Sequence, residues 1–216
     1  MALGDRLRAL PTLNGALPGF DADLAAATPQ LQFAHWLQVA IAAGVAEPHA
    51  MTLSTLAPDG SPDARVLILK DVDARGWHFA TSMLSQKGRQ LADDARAALT
   101  FYWPLLGQQI RLRGHAVYLG AAISAADFRA RGSGARAIAM LDRQSSVMAD
   151  PAALEAAIAD GRQRLEADPE AVTPAWAVFA LVPDVVEFWQ GDSERRHTRL
   201  QYIATADGWI RRRLWP

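Results

Sequence analysis

Three short apolar segments separated by tight turns follow one another in the first half of the chain, and they restrict its fold more than any other feature. We predict strands over Met51–Leu56, Arg65–Lys70 and Trp77–Thr81, joined by turns at Pro58-Asp59-Gly60 and Asp73-Ala74-Arg75-Gly76. Connections this short join antiparallel strands, because a parallel crossover needs about a dozen residues or more. The segment therefore predicts a β-meander within an antiparallel sheet or barrel.

Periodic segments elsewhere in the chain add strands and helices around that meander. Further strands are predicted over Ala97–Trp103, Gln109–Val117, Trp176–Leu181 and Val185–Trp189, with a closing hairpin of Arg199–Ala204 and Trp209–Leu214. Helices are predicted from Thr28-Pro29 to Gly44, over Ser85–Asp94, over Ser124–Leu141 with a break at Gly132-Ser133-Gly134, and from Asp150-Pro151 onward. We expect residues 1–27 to form a mostly irregular arm and residues 28–216 to form a single α+β domain built on a β-barrel.

Composition excludes several classes of protein. The 216-residue chain is 50% apolar and carries a formal net charge of −1, which argues against bulk nucleic-acid binding and against a basic membrane-surface protein. It has no cysteine, so disulfides, thiolate metal sites and cysteine nucleophiles are excluded. No apolar run reaches transmembrane length, and the first residues show no secretory signal. We therefore expect a cytoplasmic protein.

The segment Glu187–Leu200 combines positive charge with aromatic side chains. If the chain is extended from Arg195 onward, then Arg195, His197 and Arg199 share one face, because side chains alternate across a strand. With Trp189 close in sequence, such a face suits a flat, anionic ligand. A solvated edge strand whose charges discourage aggregation fits the segment equally well, so this stretch alone leaves both interpretations open.

The motifs of several common chemistries are missing from the sequence. It has no glycine-rich phosphate loop and no nucleophile elbow, and its five histidines lack metal-ligand spacing, so we expect no metal. Polar side chains lie instead within or beside apolar strands: Arg65 and Lys70 bracket Val66–Leu69, and Gln109, Arg111 and Arg113 share one face. Ordinary strand ends and a hydrated face explain each feature separately. Together they suit a phosphorylated, planar ligand.

Seven motifs, in order, carry a resemblance to a known family. They are AMTLSTLAPDGSPDARVLILK (50–70), FATSMLSQKGRQL (79–91), FYWPLLGQQIRLRG (101–114), RQSS (143–146), EFWQG (187–191), RRHTR (195–199) and RRLWP (212–216). With them the chain resembles the pyridoxamine 5′-phosphate oxidases from about Phe33 to its end. The resemblance implies an FMN-binding split β-barrel, antiparallel and Greek-key-like, with peripheral helices. It also implies a homodimer that holds FMN in clefts between its subunits.

The resemblance further implies the roles of individual residues. In the family, a hydride passes from the substrate carbon that bears the amine or alcohol to the flavin, and O2 then reoxidises the flavin and yields hydrogen peroxide. Arg65 and Lys87 would hold the FMN phosphate. The rest of the cofactor site would comprise Val66, Leu67, Ile68, Lys70, Ala80, Thr81, Gln86, Gln109, Gln144, Ser145, Trp189 and Arg199. The substrate, a B6 vitamer phosphate or an analogue, would face Lys70, Arg131, Arg195 and His197, with Arg195 and His197 catalytic.

Two departures from the family pattern leave the substrate open. Asp127 stands where the family has a tyrosine, and Ala135 where it has a serine, so two hydroxyl donors for a substrate phosphate are lost. Gln86, Ala80 and Thr198 also replace usual residues of the family. The first hypothesis is an oxidase of pyridoxamine or pyridoxine 5′-phosphate. The alternatives are a related flavin oxidase with another substrate, including a non-phosphorylated one, and a non-catalytic protein that binds FMN or pyridoxal phosphate.

Overall fold

The computed structural model describes residues 1–148 and 150–216. Its α-helices are α1 (Leu3–Arg8), α2 (Pro29–Ala42), α3 (Gln86–Asp93), α4 (Ala121–Arg129), α5 (Ser133–Ala139) and α6 (Ala152–Ala167), and a 3-10 turn covers Pro104–Leu106. Its strands are β1 (Ala50–Leu56), β2 (Pro62–Ile68), β3 (Asp71–Asp73), β4 (Gly76–Ser82), β5 (Arg96–Trp103), β6 (Gln108–Tyr118), β7 (Trp176–Gln190), β8 (Thr198–Thr205) and β9 (Gly208–Leu214). The predicted α+β class is confirmed. Of the predicted meander, only the first hairpin, β1 with β2, is found, because β4 pairs with β3 and β7 rather than with β2.

The strands belong to one hydrogen-bonded sheet. Their order along it is β2-β1-β5-β6-β7-β4-β3, and β8 pairs with β7 and β9. The chain divides into two compact units, called here the first unit (1–49, 100–112 and 184–216) and the second unit (50–99 and 113–183). The single domain expected over residues 28–216 stays a prediction.

In the second unit, two antiparallel pairs support helix α3. Strand β1 pairs with β2 so that Leu53 lies opposite Arg65, and β3 pairs with β4. Helix α3 begins after Ser85, whose hydroxyl accepts the Gly88 backbone N–H at 3.1 Å, as a helix N-cap does. Gly88 lies against the backbone at the end of β4, where an added Cβ would lie 2.7 Å from Met83 Cα. A glycine is therefore needed at this contact between helix and strand.

Strand β7 is longer than the sequence patterns predict. It pairs antiparallel with β4 through Trp176–Leu181 and with β8 through Val185–Gln190. The prediction of two separate strands here was wrong. The chain stays extended through Pro183, which lies between the two paired stretches, where its missing N–H costs no ladder hydrogen bond of either pair.

Aromatic rings fill the core of the first unit. Helix α2 begins as predicted, with Thr28 accepting the Leu31 N–H at 3.4 Å. Its Trp36 ring meets the Phe188 ring edge to face at 5.1 Å, and Phe188 meets Tyr202 in the same way at 5.7 Å. All three side chains are buried. Edge-to-face contacts of this kind add to the apolar burial that holds the helix on the strands.

The N-terminal segment is attached to the closing hairpin of the same unit. The Tyr202 hydroxyl donates to the Ala26 carbonyl at 2.7 Å, and Arg213 forms an ion pair with Asp23 at 2.7 Å. The segment also contains the short helix α1, which the sequence did not predict. Within the described ranges, no helix combines the length and the apolar character needed to cross a membrane.

Replacing Gly88 with alanine will lower the free energy of unfolding by about 1–3 kcal/mol, since the new methyl group overlaps the backbone after β4. Urea denaturation measures the change. Gly134→Ala is the matched control, because Gly134 lies in α5 with open space around its Cα and has no positive φ. An unfolding midpoint for Gly88→Ala equal to that of the control would contradict the packing described here.

Candidate functional site

A cavity of about 980 Å³ lies within the second unit. Eight of the predicted site residues line it, namely Val66, Leu67, Ile68, Lys70, Ala80, Thr81, Arg131 and Gln144. They come from β2, from β4, and from the turns that follow β2, α4 and α5. The structure therefore brings together groups that are up to 78 residues apart in the chain, from Val66 to Gln144.

An apolar wall of the cavity was missed by sequence reasoning. Helices α5 and α6 contribute Ile138, Ala139, Ala153, Leu154 and Ala157. The available signal was the spacing of Leu154 and Ala157 on one side of the helix predicted from Asp150-Pro151 onward, a pattern that indicates a helix but not what its apolar side contacts. An apolar wall beside a few polar groups is typical of a pocket for an organic ligand.

Positive charge accumulates beside the cavity at the start of α3. The Lys87 ammonium is buried, at 7% exposure, and lies 3.4 Å from the Ser85 hydroxyl. Ser85 is in turn 3.2 Å from the hydroxyl of Thr81, which lines the cavity. Arg65 adds a second cation and forms an ion pair with Asp63 at 2.5 Å. Lys87 makes no ion pair with any residue that the structure describes.

Burial and the nearby positive charge both affect the pKa of Lys87. Burial, and then the neighbouring charge of Arg65, lowers the pKa of Lys87, against the opposite effect of Asp63. The cluster holds two cations and one carboxylate. An anion arriving at Lys87 would relieve the imbalance, so the cluster is suited to a phosphate group.

A second pair of cations lines the cavity itself. Lys70 Nζ lies 3.1 Å from Asp127 Oδ1, and the other oxygen of Asp127 accepts a hydrogen bond from Trp176 Nε1 at 2.8 Å. The Arg131 guanidinium lies over the Trp176 ring, 4.1 Å from its centroid, and donates to the Ala135 carbonyl at 3.4 Å. Its buried Nε has no hydrogen-bond partner within the part of the chain that the structure describes. Burial lowers the pKa of Arg131, and Asp127 acts in the opposite direction.

The other predicted site residues lie outside the lining of this cavity. In the second unit these are Arg65, Gln86, Lys87 and Ser145, and in the first unit they are Gln109, Trp189, Arg195, His197 and Arg199. Their predicted roles in cofactor and substrate binding stay predictions.

The chain is not extended from Arg195 onward, so the condition under which Arg195, His197 and Arg199 would share one strand face is not met. Strand β8 begins only at Thr198, and Arg195 has a φ of 65° in the preceding turn. The turn is fixed by Asp192, whose carboxylate accepts the Glu194 N–H at 2.8 Å and whose own N–H donates to His197 Nδ1 at 3.0 Å. The His197 ring packs against Trp189, with 4.9 Å between ring centroids.

A buried carboxylate joins two arginines in the first unit. Glu187 accepts from Arg111 at 2.7 Å and from Arg199 at 2.9 Å. Burial favours a higher pKa for Glu187, but the hydrogen bonds from Arg199 and Arg111 outweigh it, so the pKa lies below its usual range.

A small acidic cluster lies on β3 and β4. The side chains of Asp71, Asp73 and His78 place possible metal-ligand atoms within 4.8 Å of one another. Asp73 is already bonded to Arg75 at 2.6 Å and to His78 at 2.9 Å. These partners occupy the carboxylate, and the expectation that the protein binds no metal stays a prediction.

Comparison with protein-family models shows to which family the chain belongs. Residues 37–165 match the family model described as pyridoxamine 5′-phosphate oxidase. The chain belongs to the pyridoxamine 5′-phosphate oxidase family. Residues 176–216 of this family member also match the model described as the pyridoxine 5′-phosphate oxidase C-terminal dimerisation region.

Curated relatives match over most of their length. The chain is 44% identical to pyridoxine/pyridoxamine 5′-phosphate oxidase of Ralstonia pickettii, over 88% of this chain and 90% of the relative. It is 43% identical to the protein of the same name from Thermosynechococcus vestitus, over 89% of this chain and 90% of the relative. The family resemblance inferred from the seven motifs is thus confirmed.

Solved structures agree with the fold. PhzG from Burkholderia lata 383, solved in complex with tetrahydrophenazine-1-carboxylic acid, is similar with a TM-score of 0.86 and 30% identity, over 94% of this chain and 100% of that one. A pyridoxamine 5′-phosphate oxidase-related, FMN-binding protein from Nostoc punctiforme has a TM-score of 0.67 at 18% identity, over 84% of this chain and 96% of that one. The predicted split-barrel fold with peripheral helices is confirmed, and the family membership points to a flavin cofactor.

Glu187→Gln will make the stability of the fold less dependent on pH in the acidic range. A carboxylate whose pKa is lowered in the folded state stabilises the protein above the unfolded pKa of about 4.3 and loses that contribution as pH falls through the folded pKa. The wild type should lose stability through this range, and Glu187→Gln should be less stable at pH 7 with a flatter profile. Thermal unfolding from pH 7 to pH 3 measures both, with Glu194→Gln as the exposed control. Parallel profiles for all three proteins would contradict the assignment.

Lys87→Met will stabilise the protein when no anion is bound. Because the folded state disfavours protonated Lys87, folding at neutral pH carries a free-energy cost that a methionine of similar length removes. Urea denaturation of flavin-free protein at pH 7 should give a higher free energy of unfolding for the variant. A decrease would show that Lys87 is already compensated.

Proposed function

We propose that the protein is an FMN-dependent oxidase that converts pyridoxamine or pyridoxine 5′-phosphate into pyridoxal 5′-phosphate, with O2 reduced to hydrogen peroxide. The observation that carries the proposal is the cavity of the second unit, which adjoins one uncompensated cationic cluster and contains another pair of cations in its wall. A flavin and a substrate that each bear an anionic group fit this distribution of charge. Relatives at about 43% identity over nine-tenths of the chain carry the name of this activity.

The residues around Lys87 fit the phosphate of FMN. Arg65 and Lys87 supply two positive charges against the single carboxylate of Asp63, and a phosphate would supply the missing negative charge. The Ser85 hydroxyl, which caps α3, and the Thr81 hydroxyl lie next to them. When bound, the flavin supplies the hydride acceptor, which no side chain of the protein can provide.

The protein's own residues would bind and orient the substrate. Arg131 and Lys70 in the cavity wall would hold its anionic group. His197 accepts the Asp192 N–H through Nδ1, so its neutral ring carries the proton on Nε2, where it can donate to a substrate oxygen or nitrogen. We assign Arg195 and His197 to catalysis by the resemblance stated above, and the cytoplasmic location also stays a prediction.

The working enzyme is proposed to be a homodimer with FMN at the subunit interface. Residues 176–216 match a dimerisation region, and within them Ile210 and Trp215 are large apolar side chains with exposures of 57% and 91%. Exposed apolar groups of this size are expected where a second subunit covers them. Sedimentation analysis should give a particle of twice the 23.4 kDa chain mass, and a monomer would contradict the proposal.

One solved neighbour favours a second candidate function. PhzG from Burkholderia lata was solved with tetrahydrophenazine-1-carboxylic acid, a partly saturated tricyclic molecule that bears a carboxylic acid and no phosphate. The ion pair between Lys70 and Asp127 is compatible with a substrate of this type. The second candidate is therefore a flavin oxidase that removes hydride from a partly saturated polycyclic carboxylate.

Lys87→Met will weaken FMN binding by about 10-fold to 100-fold, since a hydrogen bond to a charged group contributes about 1.5–3 kcal/mol. Riboflavin, which lacks the phosphate, should bind the variant and the wild type equally well. Flavin fluorescence titration of flavin-free protein measures both dissociation constants. Equal losses for FMN and riboflavin would remove Lys87 from the phosphate site.

The activity itself is tested by peroxide release from the FMN-loaded protein. We expect peroxide with pyridoxine 5′-phosphate and with pyridoxamine 5′-phosphate, and bleaching of the flavin when either is added without oxygen. If neither compound bleaches the flavin while a partly saturated polycyclic carboxylate does, the second candidate replaces the first. A protein that cannot be loaded with FMN would overturn both.

A further inference from the structure

We propose that Asp127 is an internal counter-ion of the cavity, which lowers its affinity for a phosphate dianion and thereby determines its preference for the charge of the substrate. The proposal rests on the proposed function, because it assumes that the substrate of the flavin enzyme occupies this cavity. Its first observation is the contact of 3.1 Å between Lys70 Nζ and Asp127 Oδ1. Lys70 is a cation of the cavity wall, and its charge is already paired.

The position of Asp127 is held by a second contact. Its other oxygen accepts the Trp176 indole N–H at 2.8 Å, and its side chain is only 17% exposed. If the carboxylate turned away, the indole N–H would lose its acceptor in a partly buried place. A ligand therefore cannot displace Asp127 from Lys70 simply by rotating it into solvent. It has to share Lys70 with a fixed negative charge.

The summed charge of the group favours a monoanion. Lys70 and Arg131 contribute two positive charges and Asp127 one negative charge, which leaves a net charge of +1 for these three groups. The other charged residues of the lining, Arg143, Asp142 and Asp150, add a further −1, so they do not make the wall more positive. Arg131 lines the cavity and makes no ion pair among the residues that the structure covers, so its charge is available to a ligand. A carboxylate carries about one negative charge, whereas a phosphate monoester carries about −1.5 to −2 at pH 7.

Position 135, next to Arg131 in the cavity lining, offers no side-chain donor for a phosphate. Ala135 lines the cavity with a methyl group, and its carbonyl already accepts from Arg131. The three oxygens of a phosphate are strong acceptors that need several donors. A carboxylate, with two oxygens, is satisfied by the fork of a single arginine. Donor number and net charge thus point to the same preference.

The test measures how removal of the Asp127 charge affects ligands of different charge. Asp127→Asn keeps an oxygen for the Trp176 N–H and removes the negative charge. Binding of three probes to the FMN-loaded protein is followed by tryptophan fluorescence, since Trp176 lines the cavity. The probes are 4-deoxypyridoxine 5′-phosphate as the dianion, phenazine-1-carboxylate as the monoanion, and pyridoxine as a probe without an anionic group. The dianion has no aldehyde, so it cannot form an imine with Lys70.

We expect the dianion to bind the variant about tenfold more tightly or better, because Lys70 becomes free for a charged hydrogen bond. The affinity of the monoanion should rise by about the square root of that factor. Its charge is about half that of the dianion, so it gains about half the Coulomb energy, and the affinity ratio depends exponentially on this energy. Pyridoxine should bind unchanged. In turnover, the KM for pyridoxine 5′-phosphate should fall while kcat stays the same. An equal effect on all three probes, or no gain for the dianion, would overturn the proposal.

Two controls separate this effect from a general change of charge or of structure. Asp94→Asn removes one negative charge from an exposed ion pair with Arg96 in the same unit and should leave all three affinities unchanged. In a Lys70→Met background, Asp127→Asn should lose most of its effect on the dianion, and an undiminished effect would contradict a role through Lys70. The binding readout needs no turnover. A wild type that oxidises no B6 compound would therefore refute the proposed function and leave the Asp127 comparison intact.

Discussion

The backbone of β7 hydrogen-bonds to three neighbours, β6, β4 and β8, and the rest of the fold depends on how it does so. Its first stretch, Trp176–Leu181, forms a ladder with β4, and its last, Val185–Gln190, forms one with β8. Buried N–H and C=O groups without partners are costly, so both ladders constrain where their neighbours lie. The first ladder fixes β4, which carries Thr81 to the cavity, and the second fixes Glu187 and Trp189 beside the closing hairpin.

Local chemistry allowed much of the fold to be predicted from the sequence. Turns such as Pro58-Asp59-Gly60 and Asp207-Gly208, and the cap at Thr28, depend on neighbouring residues alone, and the structure places strands and a helix beside them. Features that depend on contacts between residues far apart in the sequence could not be predicted from local patterns. The continuity of β7 through Pro183 depends on two distant partners, and the late start of β8 depends on the contact of Asp192 with His197.

For the candidate site too, the sequence predicted which residues take part but not the contacts that they make with distant residues. Arg65, Lys70 and Thr81 were identified from family motifs that sequence alone displays, and the structure places Lys70 and Thr81 in one cavity wall. The state of each charge was not predictable in this way, because a partner 57 residues away, Asp127, neutralises Lys70 while Lys87 stays uncompensated. Two lysines of one unit thus have opposite electrostatic surroundings, and only coordinates distinguish them.

The two lysines just contrasted are also the only lysines in the sequence. All other basic side chains, apart from histidine, are arginines. An aldehyde, the product of the proposed reaction, condenses with free primary amines but does not form such imines with guanidinium groups. Lys87 is buried and Lys70 is held in an ion pair with Asp127, so neither lysine is a fully exposed, unpaired amine. With only these two lysines, the chain offers a released aldehyde few side-chain amines with which to condense.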